Sequence, residues 1–197
     1  MASGKKNIAV TGDGGRTQRR ARNAIQGARN RVAGKSFEAV IEAACEHYRA
    51  QGLADIAKMP EPVRQLGGKD GNGHFLACYE KRAQPDFKGT LSGGKSIVFE
   101  AKYTSTEKMA RDVVLTQQEE ALDSHAAMGA VCFVLVAFGV GDVYRVPWSV
   151  WSKMKEVYGR KYIKREDVER WRVPYRGGVL DFLGPVKGRG NTGAEEK

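Results

Sequence analysis

The chain has 197 residues, 28% of them charged and 41% hydrophobic, with a formal net charge of +10 and a pI of about 9.6. That length suits one globular domain with a real core plus tails, and that charge favours a polyanionic partner, nucleic acid ahead of an anionic membrane. Cys45, Cys78 and Cys132 are far apart with no C-x-x-C pair, which excludes a disulfide framework and a zinc knuckle, and the absence of a long apolar run or leader-like N-terminus points to a cytoplasmic protein with no membrane partner.

Residues 1–35 carry nine basic residues against one acid, Asp13, and so hold +8 of the net charge. With few apolar residues such a segment buries too little surface to offset its ordering entropy. It reads as a flexible basic arm, with Arg16, Arg19, Arg20 and Arg22 as DNA contacts. A first helix is expected from Ser36, a plausible N-cap, because Phe37, Val40, Ile41, Ala44, Cys45 and Tyr48 recur at helical spacing before Gly52. Residues 53–59 read as a short strand ended by Pro60 and Pro62. The pattern weakens from Arg64 to Pro85 and becomes strand-like again over 97–103. Thr116-Gln-Gln-Glu119 has capping-box spacing and opens a helix to about Met128, stopped by Gly129. Residues 130–138, AVCFVLVAF, form a strand buried on both faces, and Val143 to Trp148 the next, across a Gly139–Asp142 turn. One or two short helices follow in 149–171, then a disordered tail over 184–197. The order predicts an α/β protein with a mixed sheet flanked by helices, its main domain spanning 36–183.

Gly89 to Ser96, GTLSGGKS, satisfies the phosphate-loop pattern of nucleotide hydrolases. That loop needs a buried strand before it and a helix after it. Here YEKRAQPDFK precedes it and the strand-prone Ile97-Val98-Phe99 follows. A turn between two strands explains the glycines better, so no nucleotide cofactor is expected.

The turn places Asp86 just before it and Glu100 and Lys102 just after it. Residues two apart on a strand share a face, so Glu100 and Lys102 project together and a hairpin brings Asp86 beside them. Two adjacent carboxylates suit a cation; Mg²⁺ prefers oxygen ligands and can activate a water against a phosphodiester. Lys102 can orient that water or offset charge developing on phosphorus. Pro85-Asp86 … Glu100-x-Lys102 therefore fits a PD-(D/E)xK nuclease core, although Glu-x-Lys is also what a solvated ion pair on an exposed strand shows. Glu38, bordering the apolar stripe of the first helix, can reach a metal site at the sheet edge. Gln118, in the first turn of the next helix, can orient a phosphate or a water.

With these residues assembled, the chain resembles the RecU-type Holliday junction resolvases from about Gly34 to Asp181. Gly34-Lys-Ser-Phe-Glu38, Lys58-Met-Pro-Glu-Pro62, Phe75 to Asp86, Phe99-Glu-Ala-Lys102, Gln118, Val131-Cys-Phe-Val-Leu and Gly159-Arg-Lys-Tyr-Ile-Lys164 carry the resemblance. The most specific is Phe99-Glu-Ala-Lys102, similar to the family's FEAK. The resemblance implies a homodimeric, Mg²⁺-dependent endonuclease of restriction-enzyme-like fold that cuts four-way or branched DNA, with Mn²⁺ able to substitute. It makes Asp86, Glu100 and the Ala101 carbonyl metal ligands, Lys102 the residue assisting the water, Glu38 a support of the metal site, and Lys58 a neighbour of the cleaved phosphate. It also implies a projecting stalk over about 64–85, with Tyr79, Lys81 and Arg82 near the junction centre. Residues 64–76 are shorter and richer in glycine than the family pattern, and a proline precedes Asp86 where the family often has a polar residue. Related nucleases of other branched or duplex DNA, and a non-catalytic DNA-binding protein, are the alternatives.

Three other signals carry less. Asp70-Gly-Asn-Gly-His-Phe hints at a calcium loop, but the sixth and twelfth positions are Phe75 and Lys81 rather than glycine and glutamate. His47, His74 and His125 lack metal-ligand spacing. Trp148, Trp151 and Trp171 suit a core or a dimer contact better than base stacking.

Overall fold

A computed structural model describes the backbone of residues 14–60, 63–79 and 84–184, with side chains at 30, 32–60, 63–78 and 84–184. The first helix, α1, runs over Gly14–Ala50 and so begins well before Ser36. This corrects the expected helix start; residues 1–13 lie outside the described residues. The charge of the segment suggested disorder, but Ala, Arg and Gln are strong helix formers and the segment has no proline. Its packed C-terminal half supplies the nucleus, after which each added residue extends the helix at small cost. That half buries Phe37, Ile41, Ala44, Cys45 and Tyr48, the stripe expected from the spacing. Gly52, at φ 67°, ends it in the left-handed region where glycine is favoured.

The central sheet has five strands in the order β1-β4-β5-β7-β8: β1 Ala54–Lys58, β4 Phe87–Leu91, β5 Ser96–Thr104, β7 Val131–Phe138 and β8 Val143–Pro147. All pairs are antiparallel except β5 with β7, which is parallel. A parallel pair needs a crossover, and helix α2, Thr116–Ala127, supplies it. The sheet is thus mixed and flanked by helices, as expected. α1 covers one face together with β11 (Val179–Leu180) and Phe182, and β10 (Tyr175–Arg176) pairs with β11. α2, α3 (Trp148–Trp151) and α4 (Met154–Tyr158) cover the other, where Trp148 and Trp151 are buried. Phe87, Phe99 and Phe133, on three adjacent strands, stack nearly parallel with ring centroids 4.9 and 4.6 Å apart.

β1 and β4 approach so closely at Gly89 that a Cβ there would sit 2.1 Å from the Asp55 carbonyl oxygen. Ser92 to Lys95 form the β4–β5 turn, with Gly93 and Gly94 both at positive φ, and a strand follows. Lys95 is exposed on that turn, with none of the helix that a phosphate loop requires. The segment from 149 is richer than expected. Besides α3 and α4 it holds α5 (Arg165–Val168), a 3-10 turn at Glu169–Trp171, and β9 (Tyr162–Lys164), which pairs antiparallel with β6 (Lys108–Ala110). β2 (Val63–Gln65) and β3 (Ala77–Tyr79) form a separate hairpin at the stalk-like segment, with Val63, Leu66, Phe75 and Leu76 exposed. At its tip the Asp70 carboxylate accepts the backbone N–H groups of Asn72 and His74. Among the described residues no helix is long and apolar enough to cross a membrane.

Candidate active site

β4 and β5 pair regularly as far as Phe87↔Phe99 and then part. Past that point each strand has an amide that has lost its ladder partner, and the two acids satisfy them reciprocally. The Asp86 N–H donates to Glu100 Oε2 at 3.1 Å, and the Ala101 N–H donates to Asp86 Oδ2 at 2.9 Å. The N–H and C=O of one strand residue lie on the same edge, so the Ala101 carbonyl faces the same opening. β1 closes in from the far side, where the Met59 N–H donates to the Asp86 carbonyl at 2.8 Å.

Strand alternation sets the faces. Ile97, Phe99 and Ala101 pack toward α1, whereas Val98 packs toward α2. Glu100 shares the face of Val98, is 0% exposed, and meets Gln118 of α2, whose Nε2 donates to Glu100 Oε1 at 2.5 Å. Gln118 is itself fixed, because its Oε1 accepts the Leu115 N–H at 3.0 Å. The N-cap is thus Leu115 rather than Thr116: Gln118 sits at the third helical position and reaches back, so Thr116 falls inside the helix. Lys102 Nζ lies 2.5 Å from Glu100 Oε1 and 4.0 Å from Asp86 Oδ2. One ammonium therefore stands against both carboxylates.

Glu38 and Lys58 meet beside this group. Lys58 Nζ is 2.7 Å from Glu38 Oε2 and 3.2 Å from Glu42 Oε1. Both acids, Lys58, Lys35, Pro60 and Asp86 line one open cleft of about 730 Å³. Glu38 thus reaches the cleft that Asp86 borders, with its carboxylate on the Lys58 ammonium. Glu42 is a member of this group that the sequence reading misses. Its signal is there: it lies four residues after Glu38, on the same helix face. The structure brings Glu38, Lys58, Asp86, Glu100, Ala101, Lys102 and Gln118 to one region. The side chains of Arg16, Arg19, Arg20, Arg22 and Tyr79, and all of Lys81 and Arg82, lie outside the described residues, as does the tail from 185.

Burial pushes the Glu100 carboxyl up to about 8, against the pull of the Lys102 ammonium and with the push of Asp86. An acid whose folded pKa exceeds its ordinary 4.5 keeps its proton in the folded chain after the unfolded chain has released it. Between about pH 4.5 and 8 the folded state therefore binds more protons, and stability from this group falls as pH rises. Urea melts of chelator-treated protein should show that decline, and Glu100→Gln should remove it. An identical slope in both proteins would place the titration elsewhere.

A mixed sheet that opens at an aspartate, with glutamate and lysine two residues apart on the next strand, is the arrangement of a PD-(D/E)xK protein. The family model of recombination protein U, RecU, matches residues 32–187. The Holliday junction resolvase RecU of Geobacillus kaustophilus is 29% identical over 146 residues, covering 70% of this chain and 72% of that one. That of Bacillus pumilus is also 29% identical, over 144 residues, covering 68% and 69%. Hjc of Archaeoglobus fulgidus, described as a Holliday junction resolvase, superposes with a TM-score of 0.38 at 13% identity, covering 60% of this chain and 75% of that one. The chain belongs to the RecU family.

Proposed function

We propose that this protein is a Holliday junction resolvase, an endonuclease that makes paired, symmetric cuts in four-way DNA junctions. Membership of the RecU family supports it, as do the named activities of its relatives. The observation that carries the chemistry is the meeting of Asp86, Glu100 and Lys102 where β4 parts from β5.

The donors fit a divalent hard cation. Two carboxylates and the Ala101 carbonyl supply only oxygen, and Lys102 marks the place where positive charge is needed. Among the described residues no cluster of three or more His, Cys, Asp or Glu side chains could cage a metal. Mg²⁺ suits such a sparse set because it keeps several of its waters, and Mn²⁺ would substitute. Bound there, the ion would polarise the phosphodiester and lower the pKa of a water. Lys102 would orient that water and offset charge building on the phosphate. Gln118 holds Glu100 from behind, so the carboxylate meets the ion already oriented. Lys58, kept in the cleft by Glu38 and Glu42, would contact a phosphate beside the cut.

A four-way junction has approximate two-fold symmetry, so a homodimer would place two such sites on symmetric strands. Affinity would rest on phosphates and fall steeply with salt. The test is cleavage of a labelled four-way junction, a three-way flap and a linear duplex, with Mg²⁺ or with chelator. Paired Mg²⁺-dependent cuts in the junction alone are expected. Equal cutting of all three substrates would make it a general DNA nuclease, and no cutting at all would leave a DNA-binding protein.

A further inference from the structure

Away from the acid pair, the β6/β9 ribbon concentrates positive charge in a way that its own folding does not favour. Met109 and Ile163 face inward and are buried. Their neighbours on the two strands therefore face outward, and these include Lys108, Tyr162 and Lys164. The register sets Lys108 directly opposite Lys164. Cβ atoms so paired lie about 4.5–5.5 Å apart, and like charges there destabilise the pair. The same face gathers more cations. The Lys108 ammonium and the Arg160 guanidinium each lie 4.9 Å from the centre of the Tyr162 ring. Counter-charge is partial. Lys164 pairs with Glu166 at 2.9 Å and Arg160 with Asp167, whereas Lys108 forms no ion pair among the described residues.

We infer that this ribbon is a second DNA-contacting surface, with Lys108 and Lys164 straddling neighbouring backbone phosphates. A phosphate at each ammonium group would offset their repulsion and turn the pair into a clamp. A ribbon of short strands, with Tyr162 held between two cations, presents that clamp on a fixed backbone. The ribbon also stands next to the cutting site in the chain: β6 follows β5, and the 3-10 turn at Arg111–Val113 leads from it into α2 and Gln118. The contacts are to phosphate, so they would position the duplex without reading sequence. The inference rests on the nucleic-acid reading of the site, but not on four-way junctions being the substrate.

The test compares the full-length protein with Lys108→Gln/Lys164→Gln, measuring affinity for a four-way junction and for linear duplex across a salt series. Each lost phosphate contact lowers the salt slope by about 0.9, so a fall of about 2 is expected. Lys108→Arg/Lys164→Arg should restore the slope. Without DNA, Lys108→Gln should melt no lower than the parent, because it relieves a like-charge pair. An unchanged slope on whichever DNA the parent binds would overturn the inference. A reduced slope on both DNAs, from a parent that shows no junction preference, would keep the ribbon and sink the resolvase reading instead.

Discussion

Glu100→Gln is expected to cut junction cleavage by at least about 10²–10³-fold, the scale on which removing one group that stabilises transition-state charge is felt. Glutamine keeps the shape of the side chain but not its charge. It would weaken a cation site made of Asp86, Glu100 and the Ala101 carbonyl, and it would leave Lys102 with one carboxylate fewer. Binding is expected to stay within a few-fold, because affinity rests on phosphate contacts spread over the surface. Asp86→Asn should behave the same way. Gel-shift and cleavage assays on one labelled junction separate the two effects. Near-normal cleavage by either variant would remove the acid pair from the chemistry.

Phe99→Ala is the second large effect, and it acts on the fold. Phe99 is fully buried between the Phe87 and Phe133 rings and touches Phe182 at 5.4 Å between centroids. Truncating such a ring typically costs about 3–5 kcal/mol. Domains of this kind hold only about 5–15 kcal/mol in total. A urea melt should show a large part of the stability gone, with the denaturant slope retained. A loss below about 1 kcal/mol would mean that the site collapses around the missing ring, contrary to a stack held on three strands.

The sheet and its acids are legible in the sequence because strand alternation is local and rigid. Phe99-Glu100-Ala101-Lys102 can be assigned faces from spacing alone, and the strand-prone run at Ile97 rules out the phosphate loop. The continuous apolar run of β7 announces a strand buried on both sides. What spacing does not give is pairing across distance. Nothing local in Lys108 or Lys164 says that they oppose each other, because α2, β7 and β8 all lie between them in the chain, and only folding brings β6 to β9.

The same limit applies to Gln118. The sequence places it in a first helical turn, but its hydrogen bond to Glu100 depends on how α2 crosses the sheet. Glu42 escapes notice although its spacing from Glu38 is readable, because its partner Lys58 comes from β1. The start of α1 is misread for a different reason. Charge density argues for disorder, while helix propensity and a packed nucleus downstream argue for helix, and the second pair wins.

Asp86 and Glu100 each serve as a main-chain partner for the other's strand, so the two carboxylates act as a hinge pin where the sheet divides. Lengthening or shortening either side chain would move a backbone amide as well as a charge. Architecture and chemistry are therefore tied at these two positions: a change of side-chain length cannot retune one without disturbing the other.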